Sequence, residues 1–281
     1  MDGFIFAAVL FAAACHAGWN AVIKIGLDPL WTTTLISIGA AAMALVLIPL
    51  VGLPAAKGWP WLAASLPVHL VYFTALAESY RTGDMGQVYP IARGSAPLMT
   101  AAMSTLVVGE HLSLIGWAGI LALVAGVLLL SLRGGRDLAK LDRRAIGFAL
   151  LTAMTICAYS LVDGIGSRAS GDPNTYSLAL FVGLALVMGP YTLWRRGSGA
   201  LPQVVRYWPS ALAGGTLQLV SYGIVIWAMA ASSIAMVAAL RETSVLFATA
   251  IAVFVLKEPL PLVRILAAAL IVCGLAMIRL Q

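Results

Sequence analysis

The sequence predicts an all-α integral membrane protein of ten transmembrane helices, built as two inverted five-helix repeats. Three observations carry that reading. The chain of 281 residues is 62% hydrophobic and only 10% charged, with a mean hydropathy of +0.99, whereas a soluble domain carries roughly 25% charged residues. Its apolar runs have the length of a bilayer crossing, about 18–20 residues, and short polar connections separate them. Landmark residues of the first half also recur in the second at a near-constant offset.

The runs cover about 3–25, 31–52, 60–81, 85–108, 114–133, 145–167, 174–194, 208–230, 233–256 and 261–279. The first follows Met1-Asp2-Gly3, which lacks the basic start of a cleaved leader, so it is expected to be a retained helix. The longest polar stretch, Arg133 to Arg144, lies between the fifth and sixth runs and joins two units, 1–140 and 141–281. Gly3-Phe4 recurs as Gly147-Phe148, and Asp28-Pro29 as Asp172-Pro173, both 144 positions on. After a four-residue insertion, Arg93, Glu110 and Gly126 recur as Arg241, Glu258 and Gly274, 148 positions on.

An odd number of spans per repeat turns the second half upside down, with a substrate site near the bilayer midplane between the halves. Charge sets the orientation. Lys24, Arg81, Arg133, Arg136, Lys140, Arg143, Arg144, Arg195, Arg196, Arg206, Lys257 and Arg264 follow odd-numbered runs, against Lys57, Arg168 and Arg279 on the other side. The positive-inside bias therefore puts the 133–144 linker in the cytoplasm and both termini outside, in a bacterial inner membrane.

That bias also accounts for the formal charge of +6, with no basic stripe interleaved with aromatics to suggest a nucleic-acid partner. Cys15, Cys157 and Cys273 sit in apolar runs without paired spacing, and the three histidines are dispersed, so no disulfide, metal site or cofactor is expected. Six of the eight tryptophans fall near run ends as interfacial anchors, while Trp19 lies deep. Gly116, Gly119 and Gly126 of the fifth run, with Ala267 and Gly274 of the tenth, form close-packing faces. Such faces serve within one chain or between the copies of a homodimer, and a monomer is sufficient for either scheme.

Candidate site residues are polar or aromatic side chains inside the runs. His16, Trp19 and Asn20 share a face of the first run; His69, Tyr72 and Tyr80 share one of the third, with Glu78 on the other side. Tyr89 and Arg93 share a face of the fourth, Tyr159 and Asp163 mark the sixth, and Gln218 and Tyr222 the eighth. Arg241, Glu242 and Ser244 complete the set in the ninth. Buried Arg and Asp cost roughly 2.5–3.5 kcal/mol each at a helix centre, which makes Arg93, Arg241 and Asp163 the hardest to explain as packing alone. Glu242 next to Arg241 reads equally as its neutralising partner, and Glu110 and Glu258, at run ends, as caps or loop anchors. Pro97, with Pro90 before it, predicts a bent or opened fourth helix beside Arg93. The ninth run has no proline and is expected to be the stiffer of the two.

The stretch Gly94 to Leu112, with Pro97 and the ending Gly109-Glu110-His111-Leu112, resembles the EamA-type drug/metabolite transporter superfamily. So does Leu240-Arg241-Glu242 to Leu260, although its ending, Lys257-Glu258-Pro259-Leu260, departs from the first copy. Within that superfamily the chain is most similar to the YddG-type exporters of aromatic and other amino acids. The resemblance implies a central cavity formed mainly by the first, third, fourth, sixth, eighth and ninth helices, with the fifth and tenth peripheral.

The expected function is export of a small amphiphilic metabolite, foremost an amino acid, across the bilayer. Arg93 or Arg241 would meet a carboxylate, Asp163 or Glu78 an ammonium, and Trp19, Tyr72 and Tyr222 a side chain. Drugs or other metabolites are the alternative cargo. An intramembrane enzyme, or a membrane protein without transport, is the alternative class, and the sequence offers no catalytic His/Asp/Glu cluster for the former. The inverted repeat further suggests that Arg93 faces a cytoplasmic vestibule and Arg241 an outer one.

Overall fold

The computed structural model describes residues 1–22, 28–82, 85–131, 143–199, 206–254, 257 and 262–280. In chain order the helices are α1 (Gly3–Val22), α2 (Pro29–Val51), α3 (Trp59–Thr82), α4 (Met85–Met103), α5 (Leu114–Ser131), α6 (Arg143–Ala169), α7 (Pro173–Arg196), α8 (Trp208–Ala231), α9 in two pieces (Ile234–Arg241 and Ser244–Phe254) and α10 (Leu262–Leu280). Among the described residues, nine spans are long and apolar enough to cross a membrane, α9 counting as one, and α5 contributes a shorter apolar helix. The all-α membrane fold therefore stands as expected. The 133–142 part of the linker, Glu258 and the side chains of Tyr80 and Tyr89 lie outside the described residues.

The recurring dipeptides have a local physical meaning. Asp28 caps α2 by accepting from Leu30 N at 3.0 Å, with Pro29 opening the helix. Asp172 does the same for α7, accepting from Asn174 N at 2.8 Å ahead of Pro173. Each Asp satisfies a donor that the first helical turn leaves unpaired, and each Pro fills a position where no N–H is needed. A second echo lies 148 residues apart. Gly109 closes a π-helical turn, Ser104–Val108, in the left-handed region at φ 76°, and Lys257 adopts φ 57° at the equivalent place. Glycine takes that conformation freely, whereas lysine does so at a cost of about 1–2 kcal/mol.

The interruption expected in the fourth helix falls in the ninth. α4 runs as α-helix through Pro97 to Met103, while the interruption falls in α9 at Glu242–Thr243. There the N–H groups of Glu242, Thr243, Val245 and Leu246 donate to carbonyls three residues back, at 2.8–3.1 Å. The Thr243 hydroxyl also donates to Leu240 O at 2.7 Å. A side chain that competes for a backbone carbonyl tightens and bends a helix without any proline.

The helix contacts are those of two related halves. α3 packs on α6 as α8 packs on α1, and α4 packs on α6 as α9 packs on α1. α2–α7 and α5–α10 pair each helix with its own counterpart. The small-residue faces are consumed inside the chain. A Cβ on Gly274 would stand 2.6 Å from Gly119 O and 2.7 Å from Leu123 N, and one on Gly126 2.9 Å from Ala267 O, so α5 and α10 meet backbone to backbone. α2 and α8 do likewise, since a Cβ on Gly215 would lie 2.3 Å from Ala40 N.

Because the obstacle at Gly215 is backbone, Gly215→Ala is expected to cost about 1–3 kcal/mol and to lower the melting temperature in detergent. Gly189→Ala, with nothing within 4 Å of its added methyl, should leave the melting temperature within error of the parent.

Candidate functional site

A cavity of about 40 Å³ opens where the halves meet. α1 gives it His16 and Trp19, α3 His69, Tyr72 and Phe73, and α6 Tyr159. α7 adds Phe181 and Leu184, α8 Gln218 and Tyr222, and α9 Arg241. Eight of the sixteen predicted residues are thus brought to one space. The correction concerns which helices build it. α7 supplies wall, and among the described residues α4 does not, Arg93 being turned towards α9 behind the lining.

The aromatic side chains form an interlocked box. His69 stacks on Tyr159 with centroids 4.4 Å apart, and Tyr159 meets Tyr72 and Tyr222 edge to face at 5.4 and 5.8 Å. The Arg241 guanidinium lies over the Tyr159 and Tyr222 rings, 5.5 and 6.0 Å from their centroids. Asp163, wholly buried, is outside the lining and anchors the box from behind. It accepts from the Tyr176 hydroxyl at 2.9 Å and from the Tyr222 hydroxyl at 2.6 Å, and its Oδ2 lies 3.8 Å from His69 Nε2. Ser65 in turn holds His69 Nδ1 at 3.0 Å.

Behind the lining sits the charged core of the site. Arg93 Nε lies 2.8 Å from Glu242 Oε2, an ionic contact without the direction of a good hydrogen bond. Arg93 Nη2 donates to Ser244 Oγ at 3.0 Å and stands 3.2 Å from His16 Nε2. Arg241 Nε reaches Glu242 Oε1 at 4.0 Å. The two arginines therefore converge on one carboxylate, and the expectation of separate vestibules is overturned. The reason is simple geometry. Arg93 lies eight residues into α4 and Arg241 seven into α9, or about 11–12 Å at 1.5 Å per residue. At such similar depths on two helices that pack together, both side chains can reach one acid between them.

His16 is caught between two donors. Trp19 Nε1 donates to its Nδ1 at 3.2 Å while Arg93 Nη2 approaches its other nitrogen. A neutral imidazole has a single acceptor nitrogen and can satisfy only one of them. Two further predicted residues serve elsewhere. Asn20 donates to His16 O within its own helix at 2.8 Å. Glu78 pairs with Arg196 at 3.4 Å near the helix ends, beside Asp28, which meets the same Arg196 at 3.3 Å.

The family comparison gives the class of protein that holds this cavity. The EamA-like transporter family matches residues 3–132 and 143–280, one match per half. The chain belongs to that family. A solved structure titled only "Crystal structure of protein" is similar over 99% of this chain and 96% of its own, with a TM-score of 0.79 and 19% identity, a likeness of fold alone. Among curated proteins no relative matches. In an EamA-like transporter, a central cavity between repeats is where alternating access needs a binding site.

At one end of this EamA-like bundle the halves are stitched by Glu110. It accepts from Ile234 N at 2.8 Å, Ala235 N at 3.2 Å, Ser233 Oγ at 2.7 Å and Arg168 Nη2 at 3.0 Å, and also from Ser104 Oγ. Arg168 donates onward to Met229 O and Ser232 O, at 3.0 and 2.8 Å. Glu110 is a loop anchor, as its position at a run end implied, and it neutralises the exposed N–H groups of α9. Burial pushes its carboxyl up, but the bonds from Ser104, Ile234, Ser233 and Ala235 outweigh that and hold it below the usual carboxylate range.

A folded carboxyl held low stabilises the protein above the ordinary carboxylate pKa, and that stability is lost as pH falls through the depressed value. Acidification across this range should therefore lower the melting temperature of the parent protein more than that of Glu110→Gln, in parallel thermal scans. For the charged core, Glu242→Gln leaves two buried guanidiniums without their counter-ion and should cost about 3–5 kcal/mol. Arg93→Met with Glu242→Met should be milder than Glu242→Gln alone. If the single and double variants melt alike, the ion pair is not what holds α4 to α9.

Proposed function

We propose that this EamA-like transporter exports small amphiphilic metabolites, foremost amino acids with aromatic or neutral side chains. The supporting observation is a cavity between the halves that is walled by Trp19, Tyr72, Phe73, Tyr159, Phe181 and Tyr222 and carries a buried cation, Arg241. Apolar and aromatic walls with a few placed polar groups suit a small organic solute, and a planar side chain stacks well in such a box. The same walls are what favour the YddG-type aromatic exporters over other branches of the superfamily. A cationic drug would meet a like charge at Arg241, which disfavours that cargo.

The cavity of about 40 Å³ holds little more than a water-sized group, so loading requires the helices around it to part. Rocking of one half against the other does this, and each end has its own ties to release: Glu110 with Arg168 and the start of α9 at one, Arg196 with Asp28 and Glu78 at the other. The distribution of Lys and Arg supports a cytoplasmic linker and outward termini in a bacterial inner membrane.

Purified protein in liposomes should give saturable flux of phenylalanine, tyrosine or leucine, and none of nucleosides or cationic drugs. Tyr159→Ala should reduce aromatic flux on the order of tenfold, the loss expected when one buried ring contact is removed. Flux of nucleosides or drugs without any amino acid would replace the substrate class and keep the transporter.

A further inference from the structure

We infer that the substrate group this site reads is the carboxylate, held by Arg241, and that the ammonium is secondary, so amino-free carboxylates of the same shape are also ligands. The inference rests on the cavity being the substrate site, as proposed above.

The two arginines are not equivalent. Arg93 is engaged by Glu242 and Ser244 and does not line the cavity. Arg241 does line it, is 2% exposed, and has no hydrogen-bond partner for Nε or Nη2 among the described residues. Its distance of 4.0 Å to Glu242 Oε1 is too long for a hydrogen bond. A buried guanidinium with two N–H directions unanswered is a demand for a planar, bidentate acceptor. The surroundings deepen that demand. Arg93 and Arg241 share the one carboxylate of Glu242, while Asp163 is taken up by two tyrosine hydroxyls, and His16 cannot answer both donors that face it. Arg241 is thus the donor left open on the cavity side, although both oxygens of Glu242 also lack a hydrogen-bonded donor among the described residues.

Among the described residues, nothing comparable awaits an ammonium. Asp163 has each oxygen occupied by a tyrosine hydroxyl and is not part of the lining. Glu78 is held by Arg196 near the helix ends. What the cavity offers is the neutral Gln218 Oε1, buried and without a partner among the described residues, and the faces of its rings. Hydrogen bonds between charged partners are roughly twice as strong as neutral ones, so losing the carboxylate costs more than losing the ammonium.

The test is competition against labelled phenylalanine flux in liposomes by two ligands that each lack one group, 3-phenylpropionate and phenethylamine. Phenylpropionate should compete at least about tenfold better than phenethylamine. Arg241→Gln should collapse that gap towards unity, and Arg241→Lys, which keeps charge without the fork, should retain part of it. Phenethylamine competing as well as phenylpropionate on the parent protein would overturn the inference while phenylalanine flux upholds the transport reading. Absence of saturable phenylalanine flux would overturn the substrate reading and this inference with it. Because the ligand pair is measured on the parent protein, a variant that fails to fold does not remove the test.

Discussion

Three charged side chains that no lipid would solvate meet at Glu242, and the rest of the site is arranged around keeping them together. Arg93 comes from the first half and Arg241 from the second. An isolated buried ion costs several kcal/mol even after relaxation, so α4 and α9 are held together as long as the cluster stays dry. The break in α9 serves that pairing. With tightened bonds at Glu242–Thr243, adjacent residues no longer fan out at the regular angle of an α-helix. Glu242 turns to Arg93 and Ser244 Oγ accepts from it, while Arg241 stays on the cavity side. A straight helix would place Arg241 and Glu242 about 100° apart and leave less freedom to serve two neighbours at once.

The ends of the bundle use charge in a different way. Glu110 and Arg168 work near helix ends, where backbone groups lack partners: one takes the first N–H groups of α9, the other the carbonyls that close α8. Asp28 combines an N-cap with an ion pair to Arg196. Such ties are partly exposed, so water can replace them at modest cost, unlike the contacts around Glu242. The hierarchy suits a molecule whose ends must open while its centre keeps its charges paired.

Much of this was legible in the sequence because membrane insertion leaves so few options. Helix positions followed from hydropathy, and the Asp-Pro and Arg–Glu landmarks marked the repeat; the first of these now has a capping function in both halves. The face containing His16 and Trp19, and those containing His69 with Tyr72 and Gln218 with Tyr222, met in one cavity. What escaped depended on interactions between distant residues or on signals with two meanings. Phe181 and Leu184 line the cavity, yet an apolar residue facing a cavity and one facing lipid look alike in a sequence. Tyr176, which holds Asp163, stands in the polar first turn of α7, Asn174-Thr175-Tyr176-Ser177, where it reads as part of the helix start. Pro97 drew attention to α4 because proline is the visible helix breaker, whereas the actual break came from Thr243 and the tertiary pull on Glu242, which no local motif announces. Asn20 looked like a ligand by its face and instead bonds its own helix.

The small size of the cavity bears on how such a site can release what it binds. A guanidinium with two unanswered N–H groups and an amide oxygen with none to accept are costly in a closed, low-dielectric space. A substrate that answered both perfectly would be trapped, since leaving would restore the full penalty. Glu242 offers a way out. Its Oε1 is already 4.0 Å from Arg241, close enough for a small rotation to make the pair if a bound carboxylate were to depart. If a carboxylate ligand is held there as proposed, the internal carboxylate would compete with it for the same guanidinium and limit its affinity. Glu242 would then have a second task beyond its contact with Arg93, that of answering Arg241 when the cavity is empty.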